Sequence, residues 1–147
     1  MVKHPVHEAV VAPLFTKRFI AAIVLVVVGL AWIAYYYWGA RTGLDGHQHG
    51  IGFIRSLAGW NYLIGFGLFF IGLLVAAHPD TPLGRGRGVV TSMLACFIIG
   101  LVWIVVFYIF SNAQIVHIPV FNDLDQKNLL VGIGFMAVGF AFATRWE

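Results

Sequence analysis

The chain has 147 residues, 61% of them hydrophobic and 10% charged, with a mean hydropathy of +0.90. Soluble domains carry roughly 25% charged residues because they present a wet exterior, and a fold this small has too little interior to hide so much apolar surface. The composition therefore excludes a water-soluble globule, and the net charge of +3, spread over the ends of apolar runs, excludes a basic patch able to track a nucleic acid backbone.

Four apolar runs follow in chain order: Phe19 to Trp38, Trp60 to Ala77, Val89 to Phe110 and Leu129 to Thr144. A hydrocarbon core of about 30 Å needs about 20 helical residues, so the last run, the shortest, reaches that length only with Asn128 and Trp146. Bulky Tyr35-Tyr36-Tyr37-Trp38 closes the first run where a cleaved leader would carry small residues, so the run is expected to stay in the mature protein. Trp38, Trp60 and Trp146 lie at run ends, where amphipathic rings favour the headgroup region. Together with Asn61 and Asn128 they are the expected interfacial anchors.

Orientation follows from Lys and Arg. With the N-terminus inside, Lys3, Lys17, Arg18, Arg85, Arg87 and Arg145 are cytoplasmic and Arg41, Arg55 and Lys127 are outside, six against three. Both termini are expected in the cytoplasm. The expected division is a cytoplasmic tail over 1–18, a first transmembrane hairpin over 19–78, a linker over 79–88 and a second hairpin over 89–147. The linker, with Pro79, Pro82 and Gly84-Arg85-Gly86-Arg87-Gly88, reads as a flexible basic connection. It lacks the Lys-Ser or Lys-Thr of a nucleotide-binding loop.

The runs repeat. Gly29-Leu30-Ala31-Trp32-Ile33 matches Gly100-Leu101-Val102-Trp103-Ile104 at an offset of 71, and Asn61, Gly65, Gly67 and Gly72 match Asn128, Gly132, Gly134 and Gly139 at an offset of 67. One hairpin is present twice in the same orientation, a parallel rather than inverted repeat. Residues seven apart fall within about 20° on a helix, so Gly65 with Gly72 and Gly132 with Gly139 form smooth stripes for close helix packing, against a neighbouring helix or another protein. Gly67 and Gly134 point to the opposite face.

Trp60-Asn61-Tyr62-Leu63-Ile64-Gly65-Phe66-Gly67 with Gly72-Leu73-Leu74 resembles the second helix of the CrgA family of small actinobacterial cell-division membrane proteins. Ile99-Gly100-Leu101-Val102-Trp103-Ile104-Val105-Val106-Phe107 is similar to that family's first helix, and Thr144-Arg145-Trp146 to its closing residues. Family members usually carry one hairpin after a longer polar tail, so this chain resembles a duplicated form. The second copy also opens on Lys127-Asn128-Leu129 in place of Trp-Asn-Tyr. The resemblance implies a non-enzymatic role in septum formation at an actinobacterial cell membrane, in contact with divisome and peptidoglycan-synthesis membrane proteins, and leaves self-association open.

Other chemistry is sparse. His47 and His49 in a glycine-rich loop, with His117 in the other, lack the carboxylate or cysteine that would complete a metal site apart from Asp45, and no metal or cofactor is expected. No Asp, Glu, Lys, Arg or His stands in the middle of a run, which disfavours an ion-coupled transporter, and no nucleophile-base pair is visible. Cys96 reads as a lipid-buried packing residue. The sequence thus predicts an all-α membrane protein of four transmembrane helices in two tandem hairpins, acting as a cell-division scaffold. An accessory subunit of a respiratory or other membrane complex is the alternative that composition permits.

Overall fold

The computed structural model describes residues 13–41, 50–111 and 117–145, and among these every regular element is helical. Helix α1 runs Lys17–Tyr35, α2 Gly52–Ser56, α3 Trp60–Ala76, α4 Arg87–Phe110, α5 Phe121–Leu124 and α6 Asn128–Ala143. Thr16 starts α1, its hydroxyl accepting the Phe19 N–H at 3.2 Å and satisfying one of the orphan donors of the first turn. At the other end α1 widens into one π-helical turn over Tyr36–Ala40, closed by the Arg41 N–H on the Tyr36 carbonyl at 2.8 Å. Such turns insert an extra residue and re-aim the side chains they carry.

Three segments are long and apolar enough to cross a membrane: Lys17–Ala40, Arg87–Phe110 and Phe121–Ala143. The last run gains its length from a direction the apolar pattern does not reveal. Helix α5 and a 3-10 turn over Asp125–Lys127 run directly into α6, bent at Asp125 by a positive φ of 47°, so polar Asn122, Asp123 and Asp125 belong to a helical lead-in. The short element is instead α3, whose 17 residues rise only about 26 Å. These lengths and compositions fit a helical membrane protein.

Helix α1 packs along α3 and α4 along α6, giving two hairpins that meet through α3 and α6. The junction is aromatic. Phe135 of α6 sits edge-on to Phe69 at 5.5 Å and to Phe70 at 5.2 Å, while Trp103 of α4 meets Phe66 at 6.0 Å. Offset edge-to-face rings add to the packing that must hold helices together where lipid supplies no hydrophobic drive.

The linker between the hairpins is a compact turn, which corrects the expectation of a flexible connection. Thr81 is fully enclosed, and its hydroxyl donates to the carbonyls of Ala76 and His78, closing the C-terminal end of α3. It also accepts the Gly84 N–H at 3.1 Å. Gly84 and Gly88 are required by close approach, because a Cβ on either would collide with backbone of His78 or Pro82. Arg18 then ties the start of α1 to the turn through Asp80 at 2.7 Å.

Candidate functional site

Each hairpin is built on a glycine crossing. A Cβ on Gly29 of α1 would stand 2.6 Å from the Gly65 carbonyl oxygen of α3, and one on Gly100 of α4 would stand 2.7 Å from the Gly132 carbonyl oxygen of α6. Gly65 and Gly132 each receive an isoleucine, Ile33 and Ile104, at matching positions of the repeat. A Cβ on Gly72 would stand 2.9 Å from the Ala22 carbonyl oxygen of α1, whereas one on Gly139 would meet the Phe97 ring at 3.3 Å. The Gly65–Gly72 and Gly132–Gly139 stripes thus face the partner helix within each hairpin.

The opposite glycines diverge. Gly134 opens a socket for Phe70 across the junction, its absent Cβ falling 2.7 Å from that ring. Gly67 borders open space, since a Cβ there would meet nothing within 4 Å. It forms a notch on the outward face of α3, between exposed Leu63 and Ile71.

At the loop end, each hairpin carries the same asparagine device. Asn61 donates from Nδ2 to the carbonyls of Ile54 at 2.7 Å and Ala58 at 2.8 Å. Asn128 donates likewise to Phe121 at 2.9 Å and Asp125 at 2.8 Å. Both amides staple a preceding short helix onto the following long one, and the turn they hold carries a positive φ at Ala58 (43°) and Asp125 (47°). Both asparagines are 0% exposed, so they are enclosed by protein rather than turned to the headgroup region. The copies differ at the acceptor oxygen. Trp32 Nε1 donates to Asn61 Oδ1 at 3.2 Å, whereas Trp103 Nε1 and Asn128 Oδ1 are both buried without a partner. Trp103 is drawn aside to stack on Phe121, centroids 4.4 Å apart.

A second polar cluster joins the hairpins. Asp123 accepts the Tyr62 hydroxyl at 2.8 Å and pairs with Arg41 Nε at 3.1 Å. The Arg41 guanidinium lies over the Tyr37 ring, 4.8 Å from its centroid, and the Tyr37 hydroxyl accepts from Asn122 Nδ2 at 3.2 Å. Burial pulls the Arg41 pKa down, but the Tyr37 hydrogen bond and the Asp123 charge outweigh it and leave the pKa raised. Every bond in the cluster links a residue of the first hairpin to another of that hairpin or to Asn122 and Asp123 of the second. The sequence marks the place only as a break in the repeat: Tyr62, which reaches across, corresponds to Leu129.

Trp38 and Trp60 stand at the loop end, 72% and 67% exposed, while Trp146, His47 and His49 lie outside the described residues. His117 is exposed beside the turn before α5. Cys96 is enclosed by protein, in a cluster with Val89, Val138 and Phe142, rather than by lipid.

Comparison with known proteins assigns the chain. The family described as Cell division protein CrgA matches residues 2–78 and 82–147, one segment on each hairpin, parting within the linker. A cell division protein CrgA of Streptomyces avermitilis is 45% identical over 68 residues, 46% of this chain and 75% of that protein, an alignment about as long as one repeat. No solved structure matches. With the family matching both halves of a helical, apolar chain, this protein belongs to the CrgA family of cell division proteins.

Proposed function

We propose that the protein is a non-enzymatic scaffold of septum formation, spanning the cytoplasmic membrane four times with both termini inside. Its outward helix faces dock membrane helices of divisome and peptidoglycan-synthesis proteins. The observation that carries this reading is the family match across both hairpins. The structure supports it through the direction its polar groups take. Asn61, Asn128, Tyr62 and Asp123 are spent on bonds within the chain, leaving Leu63, Ile71 and Leu74 of α3 and Ile98, Leu101 and Val105 of α4 exposed as apolar faces. In lipid such faces cost nothing and recruit partners by close packing. The interface between the hairpins also supports a fused pair of units that act as one body.

In-cell photo-crosslinking tests the docking reading. A crosslinker at Leu63 or Ile71, flanking the Gly67 notch, captures cell-wall synthesis or division membrane proteins, and one at Phe135, inside the junction, captures none. Capture only of respiratory-complex subunits would replace the division reading with the accessory-subunit one.

A further inference from the structure

The structure holds a feature that neither hairpin needs for its own packing. A groove of about 480 Å³, within the range of small-ligand sites, runs between α3 and α4 over α6. Phe69 and Leu73 form one wall, Ala95 and Ile99 the other, and Phe135 and Phe142 the floor. At the linker end the lining turns polar with Thr91 and Arg87. Arg87 is exposed and, among the described residues, has no acidic partner, since Asp80, the acid of that end, pairs with Arg18.

We propose that this groove is a binding site for an anionic phospholipid, with one acyl chain along the α3–α4 wall and the phosphate against the Arg87 guanidinium. Length fits, because Arg87 to Ile99 along α4 rises about 18 Å, against about 15 Å for the half-thickness of the hydrocarbon core. Charge fits, because cationic pockets between helices at the membrane surface select anionic headgroups and a guanidinium presents a planar fork to phosphate oxygens. Among the described residues the linker end of the bundle is net positive: Lys17, Arg18, Arg85, Arg87 and Arg145 stand against Asp80. The lipid would fill the space between the hairpins on the side away from the Asp123 cluster. The inference rests on α4 and α6 crossing the membrane, which carbonate-resistant membrane partition tests separately.

The experiment uses the full chain in vesicles of phosphatidylcholine with a minority of phosphatidylglycerol, either lipid carrying a photoreactive acyl chain. Phosphatidylglycerol labelling concentrates at Leu73, Ala95 and Ile99 and exceeds that of phosphatidylcholine. Arg87→Gln lowers this preference about fivefold while tail labelling persists. Ala95→Phe, which projects into the groove from an exposed position, abolishes groove labelling, and Leu130→Phe on another lipid-facing surface leaves it intact. Unchanged near-ultraviolet circular dichroism of each variant guards against misfolding. Equal labelling by both lipids, spread over all outward faces and indifferent to Arg87→Gln and Ala95→Phe, would overturn the site. So would protection of Ala95 by a second copy or by a partner's helix.

Discussion

Trp32 donates its indole N–H to Asn61 Oδ1 across the first hairpin at 3.2 Å, while Trp103 and Asn128, at the matching positions of the second, leave donor and acceptor unpaired. Two copies of one sequence have thus come to hold their helices differently. The cause is packing, since Trp103 is taken up by Phe121 and by the ring of Phe66 from the other hairpin.

This asymmetry makes Trp32→Phe and Trp103→Phe unequal. The first strands a buried acceptor and costs about 1–3 kcal/mol; the second removes a donor already unpaired and costs less. Thermal unfolding in detergent, followed by circular dichroism, checks the order. Equal losses would mean that the second clasp closes in the membrane.

Removing the asparagines should hurt both hairpins, and the first more. Asn61→Ala takes the side-chain bond from the Ile54 carbonyl and strands the Trp32 N–H, whereas Asn128→Ala takes one only from the Phe121 carbonyl; the Ala58 and Asp125 carbonyls keep the backbone N–H of the substituted residue. With an unmet buried group costing about 1–3 kcal/mol, the difference is on the order of 1 kcal/mol. Denaturation of the two variants side by side measures it.

Asp123→Asn tests the clip between the hairpins. The carboxylate and Arg41 are 20% and 28% exposed, enclosed enough to escape most solvent screening. A hydrogen bond to a charged group contributes about 1.5–3 kcal/mol, and the variant should lose a comparable amount from the junction while each hairpin stays folded. Spin labels on α1 and α4 report it as a broadened interhairpin distance distribution. An unchanged distribution would assign the junction to its aromatic rings alone.

Glycine replacements should rank by what lies opposite. Gly65→Leu and Gly132→Leu force the crossings apart, Gly72→Leu meets backbone, and Gly139→Ala asks only the Phe97 ring to yield. Gly67→Ala meets nothing and raises stability by up to about 1 kcal/mol through helix propensity. Unfolding midpoints across the series give the ranking.

The helices, the repeat and the glycine stripes are legible in the sequence because membrane spans obey a length rule and small residues at helical spacing mark close contact. Three features are not. The lead-in from Phe121 is masked by Asn122, Asp123 and Asp125, whose polarity resembles a loop, although Asn122 and Asp123 find partners on Tyr37, Tyr62 and Arg41 in the folded chain. The enclosure of Asn61 and Asn128 depends on carbonyls seven residues upstream, at Ile54 and Phe121, presented only once a short helix has formed. The Asp123 cluster joins residues from both hairpins, and the sequence records it solely as Tyr62 without a counterpart. The linker misleads for a related reason: Gly84 and Gly88 are there for close backbone contact, and Gly86 for a positive φ of 53°, in a folded turn.

The central claim is that this fused pair of hairpins serves division, and its most direct test is where the protein goes in growing cells. A functional fluorescent fusion is expected to concentrate at forming septa, with deletion producing misplaced or delayed septation. Uniform distribution over the membrane, together with normal septation in the deletion strain, would contradict the account.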